Sequence, residues 1–180
     1  MAVTSSQNNS AKRTLSKLTQ LLPAITFKPS NDYLWSPKTR TVTYDTNTVA
    51  SEEGSWSLLH EAAHAQLGHQ SYETDLQLLL LEADAWEHAR TQGLDLGVHI
   101  DNEYIQDCLD TYRDWLHGRS TCPQCTSVGI QRSALEYRCH NCNAVWTVTV
   151  SRFCRPYRRK KTTTTDKQSN QPSMGDVQFQ

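Results

Sequence analysis

Residues 55–69 read SWSLLHEAAHAQLGH, and three histidines and one glutamate interrupt an otherwise apolar, alanine-rich run. The run predicts a helix over residues 55–67 that ends near Gly68. Because leucine and alanine form most of this helix, we expect it to lie in the protein core. Histidines and a carboxylate buried there are costly without partners. The segment is therefore either a metal-binding helix or a core helix that happens to carry histidines.

The spacing of the first two histidines favours a metal site. His60 and His64 are four residues apart, so on a helix their side chains share one face and can bind one ion. Glu61 lies about 100° around the helix from His60, where it can reach a bound water without binding the ion. In this H-E-x-x-H arrangement two histidines hold Zn²⁺ and the glutamate takes a proton from the zinc-bound water, whose pKa falls to about 7. The pattern predicts His60 and His64 as ligands of a catalytic zinc and Glu61 as the general base.

The third ligand is predicted one helix later. A helix is expected over residues 74–92, ending at Gly93, and Glu82 stands within its segment LQLLLLEADAWEHA. The neighbours of Glu82 one turn away are apolar, so a carboxylate there needs a cation or strong donors. If this helix folds back on the first, Glu82 completes a site of two histidines and one glutamate with an open fourth position.

Two other residues remain candidates for the third ligand. Asp84 occupies a neighbouring stripe of the same helix and can instead orient a histidine. His69 follows His64 by five residues and would point about 140° away on a continuing helix, so a cap or surface position is favoured for it. A salt bridge from Glu82 to a lysine or arginine is the alternative that needs no metal.

The segments LLHEAAHAQLGH and LEADAWEHA together resemble the ImmA/IrrE family of gluzincin-type zinc metallopeptidases, over about residues 20–95. The resemblance implies zinc ligands at His60, His64 and Glu82 and a general base at Glu61. It also implies that WSPKTRTVTY forms the strand before the zinc helix, whose edge holds the substrate as an added strand. Thermolysin-like enzymes carry an aspartate four residues after the third ligand, where this chain has Trp86.

The resemblance does not assign every role, and it is not the only one. The residue that stabilises the transition state stays open among Tyr44, Tyr72 and His69. A second resemblance is to SprT-like proteins, in which a HExxH domain and a zinc ribbon act on DNA-associated proteins. These enzymes use a third histidine, so a His69 ligand would favour this resemblance and a Glu82 ligand would not.

Four cysteines form a separate motif. The pairs Cys122-Pro-Gln-Cys125 and Cys139-His-Asn-Cys142 are separated by 13 residues. Four thiolates at this spacing predict a tetrahedral structural zinc site, similar to a zinc ribbon, with metal binding supplying the folding free energy. Cys108 and Cys154 are expected to be free thiols and His140 a bystander.

The rest of the chain gives the domain organisation. We expect a disordered lead-in at 1–12, a zincin-like metallopeptidase domain at 13–118, a zinc ribbon at 119–152 and a disordered tail at 153–180 that is basic and then polar. Leucines in RTLSKLTQLL predict a helix that stops at Pro23, AITFKP and the segment after Asp32 predict short strands, and a third helix is expected at 102–117, ending at Gly118. The fold class predicted is α+β, with a short sheet packed on the HExxH helix and the glutamate helix.

Composition limits the partners and the compartment. A net charge of −1 excludes a globally basic nucleic-acid binder. No apolar stretch approaches the roughly 20 residues of a membrane span, and no apolar signal core begins the chain, so a cytoplasmic protein without membrane contact is expected. In SRFCRPYRRKK the basic cluster from Arg152 to Lys161 can contact nucleic-acid phosphates, or it is a solubilising tail.

These patterns predict a cytoplasmic zinc endopeptidase that acts on a protein or peptide substrate, either a regulatory or a DNA-associated protein. One zinc would be catalytic and one structural. The alternative function is a non-catalytic zinc-ribbon module that binds nucleic acid or protein, with a structural zincin-like domain. The intact Glu61 argues against that alternative, because a structural site has no use for a base.

Overall fold

A computed structural model describes residues 5–149 and 158–160 of the 180-residue chain, with side chains described from residue 12 to residue 149. The described part is α+β, as predicted, with four helices and two small sheets. The chain divides into two compact units, Met1–Leu116 and His117–Gln180. None of the described helices is long and apolar enough to cross a bilayer.

The first unit contains a three-stranded sheet and most of the helical residues. Its helices are α1 (Ser5–Leu21), α2 (Glu52–Leu67), α3 (Asp75–Leu96) and α4 (Asn102–Ser120), the last of which continues into the second unit. Its strands are β1 (Thr26–Ser30), β2 (Leu34–Ser36) and β3 (Thr41–Asp45). The strand order is β1-β3-β2, with β1 parallel and β2 antiparallel to β3, so β2 lies at one edge of the sheet.

Helix α2 begins and ends with well-defined caps. The Ser51 side chain accepts a hydrogen bond from the backbone N–H of Gly54 at 3.0 Å, and Glu52 and Glu53 place negative charge in the first turn. Gly68 ends the helix in the left-handed conformation, with φ of 68°, which confirms the predicted end. The leucines and alanines in the middle of α2 are fully buried and belong to the main core, which confirms the prediction of a core helix; they are Leu58, Leu59, Ala62 and Ala63.

Helix α3 does not end where the sequence suggested. The prediction that Gly93 terminates it is wrong, because α3 continues to Leu96 and is capped by Gly97 at φ of 77°. Gly93 is buried, and a Cβ atom placed on it would lie 2.7 Å from the carbonyl oxygen of Val98. The glycine therefore permits close approach of the chain that follows the helix.

Two other helix bounds differ from the predictions. Helix α4 passes Gly118 and ends at Ser120, two residues beyond the expected stop. Helix α1 begins at Ser5, so residues 5–12 are helical where a disordered lead-in was expected. Pro23 lies just after α1, in agreement with the expected stop.

The second unit is built around an antiparallel sheet of four strands in the order β4-β5-β6-β7. They are β4 (Gly129–Ser133), β5 (Glu136–Cys139), β6 (Val145–Val148) and β7 (Arg158–Lys160). The predicted strand-like runs at 135–139 and 144–150 correspond to β5 and β6, whereas β4 was missed. Tyr137 and Trp146 stack with ring centroids 5.7 Å apart in the core of this unit.

Strand β7 corrects part of the prediction for the tail. We expected residues 158–160 to be disordered, but they form a strand that pairs with β6. The other residues of the predicted basic cluster, from Arg152 to Tyr157 and Lys161, lie outside the described residues, as does Cys154.

Candidate metal centres

The three predicted ligands of the catalytic zinc lie together between α2 and α3. His60, His64 and Glu82 each offer one ligand atom, and these atoms lie within 4.8 Å of one another. His60 Nε2 lies 3.1 Å from Glu82 Oε2 and 3.1 Å from His64 Nε2, and His64 Nε2 lies 3.6 Å from Glu82 Oε2. All three side chains are buried. The group can hold a metal ion.

The distances between the three ligand atoms fit a small metal ion with tetrahedral coordination. Zinc bonds to nitrogen and oxygen of about 2.0–2.2 Å place tetrahedral ligand atoms about 3.3–3.6 Å apart, close to the observed spacing. Among the described residues the ion-pair partners of Glu82 are His60 and His64, so the alternative of a pair with lysine or arginine is not what the structure contains. Two imidazoles and a carboxylate facing one another in the core are a donor set suited to a divalent cation.

The electrostatics keep Glu82 in its ionised, ligand-competent form. Burial by itself raises the pKa of Glu82, but hydrogen bonds and charge from His60 and His64 together outweigh burial and hold the pKa well below its usual range. The carboxylate is therefore available as an anionic ligand near neutral pH.

His60 is oriented by an aromatic side chain. The ring of Trp86 stacks on the imidazole with centroids 4.1 Å apart and an interplanar angle of 22°. His60 Nδ1, the nitrogen that faces away from the other two ligands, is buried and has no hydrogen-bond partner among the described residues. Trp86 stands at the position where thermolysin-like enzymes carry an aspartate. Trp86 thus contacts His60 by ring stacking, while the described residues supply no hydrogen bond to His60 Nδ1.

His69 lies outside the group of three ligands but contacts one of them. Its Nδ1 lies 2.8 Å from His64 Nδ1, and its backbone N–H donates to the carbonyl of His64 at 3.0 Å. The left-handed turn at Gly68 brings the side chain back onto the helix. Burial lowers the pKa of His69, and the neighbouring His64 lowers it further, which favours the neutral imidazole. The spacing of His69 favoured a cap or surface position over a ligand role, and it did not indicate this contact.

Glu61, the predicted general base, is not part of the ligand group. It is half-buried, and its Oε2 accepts a hydrogen bond of 2.6 Å from the backbone N–H of Trp35 in β2. The indole N–H of the same Trp35 donates to the carbonyl oxygen of His69 at 2.9 Å. Trp35 in β2 thus contacts both Glu61, the predicted base, and His69, whose ring meets His64. No local pattern in the sequence could have indicated these contacts, since they join residues 26 and 34 positions apart.

The remaining candidates lie elsewhere. Asp84 is exposed and is not part of the ligand group. Tyr44 packs at the margin of the main core, and Tyr72 is 41% exposed. Of the three candidates for transition-state stabilisation, His69 is the one whose hydrogen bonds within the described residues reach a ligand.

The four cysteines of the second unit form a separate cluster. Cys122 Sγ lies 3.6 Å from Cys142 Sγ, Cys125 Sγ lies 3.5 Å from Cys139 Sγ, and all four sulfurs lie within 4.8 Å of one another. Zinc–sulfur bonds of about 2.3 Å would place tetrahedral sulfurs about 3.8 Å apart, so this cluster can also hold a metal ion.

The two cysteine pairs share one backbone conformation. The N–H of Thr126 donates to the carbonyl of Cys122, and the N–H of Asn143 donates to that of Cys139. Thr126 and Asn143 have φ of 61° and 60°, so each pair is followed by a residue in the left-handed region. The matched turns direct both pairs of thiols to one point.

Within the described residues, Cys108 and His140 are not part of this cluster. Cys108 in α4 is half-buried and not disulfide-bonded, and His140 is exposed. The backbone N–H of Ser127, with smaller help from side chains, lowers the pKa of the Cys125 thiol to about 6. The backbone N–H of Ala144 lowers the pKa of the Cys142 thiol, but burial and the neighbouring cysteines outweigh it and raise this pKa to about 12, so the thiols of the cluster titrate together.

Comparison of the chain with protein-family models, with curated proteins and with solved structures gave no match. The function is therefore inferred from the chemistry of the two clusters.

Proposed function

We propose that the first unit is a zincin-like zinc endopeptidase and that the second unit is a zinc ribbon. One observation carries the proposal: His60, His64 and Glu82 converge on one point, while Glu61, the next residue after His60 on α2, stays outside the ligand group with its carboxylate bonded to β2. A structural site of three ligands needs no additional carboxylate. A hydrolytic site needs a base at this position.

The donor set supports zinc as the metal. Two imidazoles and one carboxylate are the protein ligands of many catalytic zinc sites, and three ligands leave one tetrahedral position open. Bound there, zinc would act as a Lewis acid that makes a water molecule acidic and polarises a substrate carbonyl. In the cysteine cluster four thiolates leave no open position, so a zinc ion there would be structural.

Glu61 performs the proton transfers in this proposal. It accepts a proton from the attacking water and passes one to the leaving amine. Its carboxylate is held by the N–H of Trp35, so the base is oriented before substrate binds. β2 is an edge strand, so an extended peptide could pair with its outer side through backbone groups other than the Trp35 N–H, which is already bonded to Glu61.

The substrate class follows from the resemblance. The presence of Glu82 among the ligands supports the ImmA/IrrE-like assignment, and the position of His69 outside them argues against the SprT-like one. We therefore favour a regulatory protein as substrate, with the ribbon and the basic segment after it recruiting that protein or its nucleic-acid partner.

The test compares Glu61→Gln with wild type and with Glu73→Gln, a matched change at an exposed glutamate in the loop before α3. Each full-length protein is checked for zinc content and incubated with a proteome-derived peptide mixture, and new peptide termini are identified by mass spectrometry. We expect Glu61→Gln to keep two zinc ions and to lose about 10²- to 10⁴-fold of the cleavage rate, the usual contribution of a general base. Glu73→Gln should cleave like wild type.

Undiminished cleavage by zinc-loaded Glu61→Gln would reject the peptidase mechanism. The non-catalytic binding module would then be the better explanation. If wild type cleaves a narrow set of sequences, fragments that disappear from Glu61→Gln cells name the substrate.

A further inference from the structure

The two ligand histidines are held in different ways. His60 is stacked on Trp86, and its Nδ1 has no partner within the described part of the chain. His64 instead meets the ring of His69 through Nδ1, at 2.8 Å, on the side away from the ligand cluster. The contact joins two side-chain nitrogens, so one must donate and the other must accept.

The donor can be assigned from the chemistry of the ligand. His64 Nε2 faces His60 and Glu82, and it must keep its lone pair free to bind an ion. A neutral His64 therefore carries its proton on Nδ1 and donates it to His69 Nδ1. The proton of His69 is then on its own Nε2.

His69 is itself fixed by a contact from the sheet. Its carbonyl oxygen accepts the indole N–H of Trp35 at 2.9 Å, and its backbone N–H is bonded to the carbonyl of His64. Both backbone groups of His69 are thus occupied, which limits the positions open to its ring.

We propose that His69 is a positioning residue that fixes the tautomer and ring orientation of His64, and that Trp35 anchors it; this inference rests on the proposed function. Histidine ligands in metal sites usually donate their second N–H to a carboxylate, a backbone carbonyl or water, and loss of such a partner typically costs about 10- to 100-fold in metal affinity. Here a neutral imidazole takes that role. Trp35 also donates to Glu61, so one residue of the edge strand supports both the ligand and the base.

The experiment uses Co²⁺ as the probe in the full-length protein. Cobalt bound to four thiolates gives intense charge-transfer absorption, whereas cobalt bound by two histidines and a carboxylate does not, so the two clusters can be followed separately. Competition with a chelator then gives the affinity of the histidine–glutamate cluster, with the cysteine cluster as an internal reference. The variants are His69→Ala, His69→Asn, His69→Gln and Trp35→Phe, and the matched control is His99→Ala at an exposed histidine after α3.

The expected pattern distinguishes positioning from general stability. His69→Ala should weaken Co²⁺ binding at the histidine–glutamate cluster about 10- to 100-fold and leave the cysteine cluster and His99→Ala unchanged. His69→Asn should recover most of the affinity, because its side-chain oxygen can occupy the place of Nδ1. His69→Gln should not, because its oxygen lies one bond further out. Trp35→Phe should give a smaller loss than His69→Ala.

Three results would count against the inference. Affinity in His69→Ala within about twofold of wild type, with His60→Ala abolishing binding, would overturn it and leave the proposed function intact. If His69→Ala does not fold, equal affinities of the Asn and Gln variants would overturn it in the same way. Absence of Co²⁺ binding at this cluster in wild type would overturn the proposed function as well.

Discussion

Replacing Gly93 with alanine is expected to destabilise the first unit, although helix propensity alone gives the opposite sign. In an unobstructed helix interior, alanine is more stable than glycine by about 0.5–1 kcal/mol. At Gly93 the new Cβ would lie 2.7 Å from the carbonyl oxygen of Val98, a backbone atom that cannot rotate away. The N–H of Val98 donates to the carbonyl of Gly93 at 2.7 Å, so relieving the clash also strains this hydrogen bond.

The magnitude follows from the difference between these effects. Overpacking a well-packed site costs about 1–3 kcal/mol. After the helix-propensity gain is subtracted, we expect Gly93→Ala to lower the free energy of unfolding by about 1–2 kcal/mol. For a unit of this size the midpoint of thermal unfolding should fall by about 4–10 °C. The Cδ1 atom of Leu59, the residue before His60, lies 3.6 Å from the same Cβ position, so the shift should also loosen the histidine–glutamate cluster.

The assay is thermal and urea unfolding followed by the helical circular dichroism of the full-length protein. Leu94→Ala is the matched control, because Leu94 is in the same turn of α3 but is 57% exposed. It should change stability by less than about 0.5 kcal/mol. A Gly93→Ala variant as stable as wild type, or more stable, would contradict this prediction, since it would mean that the Val98 carbonyl does not pack against this face of α3.

Three further predictions concern the acidic ligand and the second unit. In metal-free protein the pKa of Glu82 is below its ordinary value of 4.5, so its contribution to stability is complete above pH 4.5 and is lost as the pH falls towards the folded-state pKa. Acid unfolding of Glu82→Gln should therefore be less steep than that of wild type, and equal slopes would contradict this. Cys139→Ser should reduce the zinc content from two ions to one and unfold the ribbon, whereas Cys108→Ser should keep both ions in an elemental analysis. Gly129→Ala should destabilise the ribbon in thermal unfolding, because its Cβ would lie 2.3 Å from Cη2 of the buried Trp146; an unchanged midpoint would mean that this contact is absent.

Local spacing accounts for what could be predicted about the two metal centres. His60 and His64 share a helix face because they are four residues apart. Within each C-x-x-C pair, a local turn brings the two cysteines together. Glu82 could be proposed from its apolar neighbours, because a buried carboxylate needs partners. The sequence also indicated the end of α2 at Gly68, where a left-handed residue is required.

The ends of helices and the positions of short strands were harder to predict where contacts with distant residues determine them. A glycine after a helical pattern, such as Gly93, usually indicates a helix end, yet α3 continues to Leu96. Glycine is needed at this position because the carbonyl of Val98 packs closely against it. Strands β4 and β7 were missed since short strands are stabilised by pairing with β5 and β6 and not by their own composition.

The order of residues was enough to identify the chemical groups of the two clusters: two histidines and a glutamate on one helix, a second glutamate on the next helix and four cysteines in two turns. The contacts that hold those groups in place become visible in the folded protein. Trp86 stacks on His60, His69 meets the distal nitrogen of His64, and Trp35 holds both His69 and Glu61. These contacts form between elements that are far apart in the chain. Periodic patterns in the sequence indicate helices and strands but not which side chains of distant elements meet.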